Sequence, residues 1–483
     1  MSKNMLKGLG ETIQTAMTEM NVPGAQVAIV KNGEVIYSEA FGYANLQREI
    51  SLTPGHMLPI GSSSKSFTAT AIAMLVQEGK LDLDMPMRTY LPEFELADPV
   101  ATLQATPRDL LCHRTGLPRH EMLWFNRNDL DRKDLAENLI RHLPANAPFR
   151  SRWQYQNSMY SVLGHLIEKV SGLPWETFVE ERIFAPLGIQ EYSFRIPYPD
   201  ESGKYASLYT PDEKGVNQEN VPLIIDAMGP AGSINLPAEE LAKWLVFNLN
   251  SGQAGGKALL DATLLKELHT PNIPYQLLPF ELPERVNAGY ALGWMVDYFR
   301  GHKLVDHGGN VNGGSALISL LPDQEIGCAI LTNANGNLFG TALSMEIYDR
   351  CLGVDDGKNW FHFYQEGMNS LLTAMKGTQT DIYDTKLENK PYSHALDEYV
   401  GEYKHPAYGT IRIMLQDEGL HMQFNNNHME LKHLHYDIFI FELFGDTYPA
   451  SFATAVDGSI ASVSIPLEPT IDPLVFVKNN QSA

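Results

Sequence analysis

Gly61-Ser62-Ser63-Ser64-Lys65-Ser66-Phe67 decides how the rest of this sequence reads. It leads into an apolar stretch from Phe67 to Val76, so a serine and a lysine three residues apart stand on one face of an expected helix. A serine hydroxyl is a poor nucleophile until a neighbouring group takes its proton. A lysine amine can be that group once burial and nearby charge lower its pKa. The start of a helix adds a positive dipole end and backbone N–H groups, which suit an oxyanion. Ser63, Ser64 and Ser66 have no lysine three residues later, which singles out Ser62 as nucleophile and Lys65 as its partner. The plain alternative is a serine-rich helix cap beside a surface lysine.

Two further clusters weigh against that alternative. Tyr155-Gln156-Asn157 follows the turn-like Pro148-Phe149-Arg150-Ser151 and precedes an apolar run from Tyr160 to Val170. A tyrosine and an asparagine two apart in a loop can both face a cleft, one relaying a proton and one holding a carbonyl. His307-Gly308-Gly309-Asn310 precedes a strand-like run, Ala316 to Leu321, and its glycines permit close backbone approach to a substrate. Each cluster alone reads equally well as a turn tyrosine or a glycine-rich strand entry. Their order and wide spacing after Ser62 make them specific.

With these three clusters the chain resembles the serine β-lactamase and penicillin-binding protein superfamily, in which S-x-x-K is paired with distant second and third motifs. More narrowly it resembles the branch of class C β-lactamases, D-aminopeptidases of peptidase family S12 and family VIII esterases, with Y-x-N and H-x-G as second and third motifs. The resemblance covers roughly residues 10 to 350. It includes Leu110-Leu111-Cys112-His113-Arg114-Thr115-Gly116-Leu117, Gly229-Pro230-Ala231-Gly232-Ser233 and Gly289-Tyr290-Ala291-Leu292-Gly293-Trp294. It implies acyl transfer through a serine ester. Ser62 attacks a carbonyl, Lys65 and Tyr155 take and relay the proton as a hydrogen-bonded pair, and Asn157 orients Lys65 and the substrate. Backbone N–H groups of Ser62 and Asn310 form the oxyanion hole beside His307, Gly308 and Gly309. No metal or organic cofactor is implied.

The substrate reading rests on His307. Relatives that cleave β-lactams or C-terminal D-Ala-D-Ala place a lysine there to bind a carboxylate. A histidine near its ordinary pKa of about 6.5 is mostly neutral at pH 7. The expectation is therefore a D-aminopeptidase-type peptidase or a carboxylesterase acting on a small molecule or short peptide. β-Lactamase or D,D-carboxypeptidase is the alternative. A protein that binds penicillin without turnover, or a sensor on the same scaffold, is the alternative of another class.

The 483 residues suffice for two or three domains, and 44% hydrophobic with 19% charged residues is the composition of a folded globular chain. A net charge of −22 lacks the basic footprint of nucleic-acid binding. No apolar stretch approaches membrane-spanning length, and Met1 to Gly10 lacks the pattern of a signal peptide, so a cytoplasmic location is expected. The three cysteines, Cys112, Cys328 and Cys351, form no C-x-x-C pair, and Cys328 reads as a buried free thiol. The sequence leaves a homo-oligomer open.

The expected fold is α+β: an antiparallel sheet flanked by helices, an all-helical lobe, then a small all-β barrel. Strand patterns at Ala25 to Val30 and Glu34 to Phe41 meet at Lys31-Asn32-Gly33-Glu34, a hairpin signal. Helical patterns fill Ser66 to about Phe247, and strands return at Tyr290 to Phe299, Lys303 to Asp306, Ser315 to Leu321 and Ile326 to Thr332. The expected domains are residues 1–355, a hydrolase; 356–392, a helix and a polar linker over Gly377 to Lys390; and 393–483. In the last, about eight short strands predict a barrel similar to the lipocalin-like domains of some D-aminopeptidase relatives. Among them His433 and His435 share a strand face, near His421 and His428, but no carboxylate or thiol stands at a diagnostic metal spacing.

Overall fold

The computed structural model describes residues 5–196, 200, 202–276, 282–378 and 382–479. Parts of the expected linker (residues 379–381) and of the N-terminal stretch (residues 1–4) lie outside the described residues.

The chain starts with a helix, α1 (Leu9–Glu19), and a hairpin of β1 (Gly24–Lys31) and β2 (Glu34–Asn45). The hairpin turns on Asn32 and Gly33, with φ of 51° and 77°. Two left-handed residues match the right-handed twist of the flanking strands, and Asn-Gly is the pair that adopts them most readily. A two-residue strand, β3 (Ile50–Ser51), follows on the edge. Five more strands arrive after the helical lobe: β4 (Arg285–Tyr290), β5 (Met295–Phe299), β6 (His302–Val311), β7 (Gly314–Leu321) and β8 (Ile326–Thr332). The sheet order is β4-β5-β6-β7-β8-β1-β2-β3, and every neighbouring pair is antiparallel. The two ends of the domain meet where β1 pairs with β8, from Ala25 opposite Thr332 to Lys31 opposite Ile326.

Both faces of this sheet are covered. Ala28 and Val30 join one core with the helical lobe, while Val27 and Ile29 join a second core with α1 and the C-terminal helices. That is the period of two expected of a strand buried on both sides. The second core includes α5 (Phe339–Leu352) and the first turns of α6 (Trp360–Thr378), whose Trp360 Nε1 donates to Asp349 at 2.8 Å. Between the strands, α2 (Lys65–Gln77) and α3 (Asn157–Ser171) carry the first two motifs, and α4 (Ala238–Leu249) packs on β1 and β8. Every residue of α2 from Lys65 to Leu75 is buried, so the turn that carries Ser62 is mounted on a helix with no room to shift.

Two expectations need correction. Tyr290 to Phe299 is not one strand, because Gly293 turns the chain with φ of 77°. A Cβ there would stand 2.9 Å from the Lys65 carbonyl, so only glycine lets this turn lie on the start of α2. The strand expected at Lys303 to Asp306 runs on to Val311, so the His307-Gly308-Gly309-Asn310 motif, which precedes β7 as expected, itself lies inside β6 and pairs with β7.

The C-terminal region is a closed antiparallel barrel of eight strands: β9 (Gly401–His405), β10 (Gly409–Gln416), β11 (Gly419–Phe424), β12 (Asn427–His435), β13 (Ile438–Leu443), β14 (Asp446–Thr454), β15 (Ile460–Ile465) and β16 (Leu474–Lys478). In β11 the inward residues alternate, as Leu420, Met422 and Phe424 show. A short helical turn, Leu396–Tyr399, leads into the first of these strands. The barrel rests on the helical lobe, where Asn425 Nδ2 donates to the Phe125 carbonyl at 3.0 Å and Asn146 Nδ2 to Thr470 Oγ1 at 2.7 Å.

Candidate active site

The turn that carries Ser62 is a single 3₁₀ turn, Gly61–Ser64, that runs into α2. Its serines have different tasks. Ser63 Oγ donates to the His307 carbonyl at 2.7 Å, which ties the turn to β6. Ser64 Oγ accepts from Ile234 N–H at 3.2 Å, and Ser66 Oγ donates to the Ser63 carbonyl at 2.7 Å. Ser63, Ser64 and Ser66 are fully buried, while Ser62 lines the cleft. Backbone approaches backbone closely here: a Cβ on Gly309 would fall 1.8 Å from the Ile60 carbonyl oxygen. Glycine at 309 is therefore what lets β6 reach the turn.

Lys65 has no exposure, and its Nζ lies 3.1 Å from Ser62 Oγ, 2.7 Å from Asn157 Oδ1 and 2.7 Å from the Ala231 carbonyl. Burial pushes its pKa well below the usual lysine value; the Glu121 carboxylate opposes this and Arg119 adds to it. A neutral amine has two N–H bonds and one lone pair. Asn157 Oδ1 and the Ala231 oxygen can only accept, so they take both hydrogens, and the lone pair is left for the Ser62 hydroxyl. The stretch Gly229-Pro230-Ala231-Gly232-Ser233 thus supplies a carbonyl that orients the Lys65 amine.

Tyr155 lines the same cleft as Ser62. Burial raises its pKa, the nearby Ser62 hydroxyl and Arg119 acting against this. The expected hydrogen bond between Lys65 and Tyr155 gives way to a different arrangement: Lys65 Nζ lies over the Tyr155 ring, 4.7 Å from its centroid, and 5.2 Å from that of Tyr160. The donors of Lys65 are taken by Asn157 and Ala231. Asn157 is the first residue of α3, capped by Gln156, and not part of a loop.

A buried carboxylate holds the loop that carries Tyr155. Asp109 receives Arg114 at 2.5 Å and Arg150 at 2.7 and 2.9 Å. Its burial would raise its pKa, but the two guanidinium groups hold it below the usual carboxylate range. Gln154 N–H then donates to the His113 carbonyl at 2.8 Å, and Gln156 N–H to His113 Nδ1 at 3.1 Å. The stretch from Leu110 to Leu117 is therefore the anchor of the second motif.

His307 is 1% exposed, although it borders the cleft. Its Nδ1 is 2.6 Å from the Gly308 carbonyl and its Nε2 is 3.0 Å from the Tyr290 hydroxyl. A carbonyl can only accept, so Nδ1 carries the proton and Nε2 accepts from Tyr290. Burial and the nearby Lys65 push its pKa down to about 3, so it is neutral throughout the physiological range. Gly308 and Asn310 also border the cleft, and Asn310 Oδ1 accepts from Ser315 at 2.8 Å.

The cleft has a volume of 1240 Å³ and joins residues from remote parts of the chain. Trp124, Phe125, Phe194, Ile225 and Phe444 give it apolar walls. Phe444 follows β13 in the turn to β14, with φ of 53°, and meets Phe125 edge-on at 5.4 Å. The barrel thus contributes one wall. Arg119, Glu121 and Tyr290 are functional neighbours that the sequence reading did not assign to the site; no local pattern marks the first two, while Tyr290 stood within a quoted landmark.

Among the described residues the one grouping with metal-ligand reach is Glu93, Glu137 and His165. Lys169 Nζ already stands 3.8 Å from Glu93 and 3.5 Å from Glu137, which supplies the positive charge those carboxylates need. The barrel histidines form no such group among the described residues, and His433 Nε2 is hydrogen-bonded to the Tyr436 carbonyl at 2.8 Å.

A sheet-backed serine, a buried lysine and a tyrosine across a cleft define the fold and site of the serine β-lactamase and transpeptidase class. The chain belongs to the beta-lactamase family, which it matches over residues 9–347; residues 385–478 match a domain of unknown function, DUF3471. It is 28% identical over 430 residues to an unguisins hydrolase of Aspergillus campestris, covering 84% of this chain and 77% of that one. In structure it is similar to the octameric penicillin-binding protein homologue of Pyrococcus abyssi (TM-score 0.63, 23% identity, 97% and 99% of the two chains). It is also similar to the D-amino acid amidase of Ochrobactrum anthropi SV3 (TM-score 0.57, 23% identity, 71% and 97%). Among the described residues no helix is long and apolar enough to cross a membrane.

Proposed function

We propose that the protein is a serine hydrolase that opens amide or ester bonds through an acyl-Ser62 intermediate, as a D-aminopeptidase-type peptidase or a carboxylesterase. The observation that carries this reading is the set of contacts at Lys65 Nζ, which leaves a neutral amine one direction for its lone pair, toward Ser62 Oγ at 3.1 Å. Ser62 Oγ bonds to the substrate carbonyl carbon as its proton passes to Lys65. The resulting ammonium is then favoured by the Tyr155 and Tyr160 rings and by Glu121, so charge formed during reaction meets partners already in place. The oxyanion falls to the Ser62 and Asn310 N–H groups. Tyr155, kept as a phenol by its raised pKa, gives its proton to the leaving group and is reprotonated as the Lys65 ammonium returns to the neutral amine. Water repeats the sequence on the ester and frees the acid and Ser62.

Neutral His307 and apolar walls favour a substrate without a carboxylate beside the reacting carbonyl. The amidase named above supports the amide side of this reading, and the unguisins hydrolase supports hydrolysis. Residues 1–355 carry the chemistry in this proposal, 356–392 connect, and 393–483 shape the cleft. A homo-oligomer fits the reading, since the P. abyssi homologue is described as octameric.

The test is a panel of p-nitrophenyl esters, D- and L-aminoacyl anilides and nitrocefin, assayed with the protein and with Ser62→Ala. Turnover of esters or D-aminoacyl anilides above nitrocefin, lost in Ser62→Ala, is the expected result. Preference for nitrocefin, or activity that survives Ser62→Ala, would contradict it.

A further inference from the structure

Lys65 is held by Asn157, and Asn157 is held by a residue outside the three motifs. The two ends of an asparagine amide are alike in shape and opposite in hydrogen bonding. If the Asn157 amide turned over, its NH₂ would face Nζ and compete with Ser62 for the lone pair. The far end decides which way it lies. Asn157 Nδ2 stands 3.0 and 3.4 Å from the two oxygens of Glu121, which as a carboxylate can only accept.

Glu121 is itself fixed from two directions. Arg119 pairs with it at 3.0 Å. The residue before it, His120, is fully buried in a left-handed conformation with φ of 51°. His120 N–H donates to Glu468 Oε2 at 2.9 Å, its Nε2–H donates to the Pro144 carbonyl at 2.9 Å, and its Nδ1 accepts from the Tyr408 hydroxyl at 2.8 Å. Just beyond Glu121, the Met122 and Phe125 carbonyls accept from Asn425 at 3.3 and 3.0 Å. Tyr408, Asn425 and Glu468 all belong to the barrel region. A route of direct contacts therefore runs from the barrel through His120, Glu121 and Asn157 to Lys65.

We propose that Glu121 is the positioning residue of Lys65, acting through the Asn157 amide, and that the C-terminal barrel holds Glu121 in place through Tyr408, Glu468 and Asn425. The barrel then has a second task besides lining the cleft: it completes the orientation of the base. This inference rests on the reading of Ser62 and Lys65 as nucleophile and base. Glu121 also acts by charge, since its carboxylate favours the ammonium form of Lys65.

The test is the rate at which a fluorophosphonate acylates the full chain between pH 5 and 10, measured for wild type and three variants. Glu121→Ala removes the acceptor and should slow acylation about ten- to hundredfold across the range, the worth of one hydrogen bond to a charged group. Glu121→Gln keeps an acceptor oxygen, so most of the rate should return. Its acid limb should move to lower pH, because Lys65 loses the charge that favoured its proton. A merely structural role would not move that limb. Tyr408→Phe lies outside the cleft and removes one neutral hydrogen bond on His120, so acylation should slow about three- to tenfold. A Glu121→Ala protein that acylates at the wild-type rate with the wild-type limb would overturn the positioning role. A Tyr408→Phe protein indistinguishable from wild type would overturn the part given to the barrel. Wild-type protein that is not acylated at all would overturn the nucleophile assignment, and this inference with it.

Discussion

Lys65→Met separates a neutral buried base from a buried ammonium without any knowledge of the substrate. Methionine is close to lysine in length and carries no proton. The substitution leaves Asn157 Oδ1 and the Ala231 carbonyl without their 2.7 Å donor, at a cost of about 1–3 kcal/mol each. That cost does not depend on pH. The proton does. Burial lowers the folded-state pKa of Lys65 well below its ordinary 10.5. Between the lowered value and 10.5 the unfolded chain binds a proton that the folded chain does not, so wild-type stability rises with pH across that window. The slope contributed by one proton is about 1.4 kcal/mol per pH unit. Lys65→Met lacks this term. Urea unfolding of both proteins at pH 7, 8 and 9 should show wild type gaining on the variant as pH rises above the lowered value, by up to about 1.4 kcal/mol per unit, with the gain ending near 10.5. A difference that stayed constant over these pH values would mean that Lys65 folds as an ammonium, and the assignment of its lone pair to Ser62 would fail.

Three further outcomes follow from the site. Tyr155→Phe should lower kcat by about a hundredfold or more by removing the leaving-group proton donor, and its effect in a Lys65→Ala background should be far less than additive; fully additive losses would show two independent functions. Phe444→Ala opens the wall that the barrel contributes and should raise KM about tenfold for bulky apolar esters while leaving acetyl esters unchanged; equal effects on both would remove Phe444 from the substrate surface. His307→Gln keeps an acceptor for Tyr290, and its pH–rate profile should match wild type between pH 5 and 8, because His307 titrates at about 3. An inflection in that range that vanished with His307 would contradict its neutral, buried state.

Much of the fold could be read from short-range signals. Asn32-Gly33 dictates a tight hairpin, the apolar run after Lys65 dictates a buried helix, and the regular strands after residue 400 dictate a small barrel. Errors fell where tertiary contact overrides local pattern. Gly293 breaks an apparently continuous strand because the turn must lie on the Lys65 carbonyl, and β6 extends through two glycines because it must reach Ile60. Ser62, Lys65, Tyr155 and Asn157 were visible because their types and spacing suit the proposed chemistry. Arg119 and Glu121 were not, since an isolated charge pair in a loop looks like solvated surface until Asn157 is seen beside it. Phe444 had no signal at all: a lone aromatic in a hairpin turn acquires meaning only when the barrel places it against Phe125.

The central claim is that one hydroxyl among four neighbouring serines becomes acylated. Peptide mapping by mass spectrometry, after brief exposure of the protein to a fluorophosphonate at pH 8, addresses it directly. The account predicts a single adduct on Ser62, absent from Ser62→Ala and strongly reduced in Lys65→Met, with Ser63, Ser64 and Ser66 unmodified because each is buried and committed to a structural hydrogen bond. An adduct on any of those three, or an Ser62 adduct formed as fast without Lys65, would contradict it.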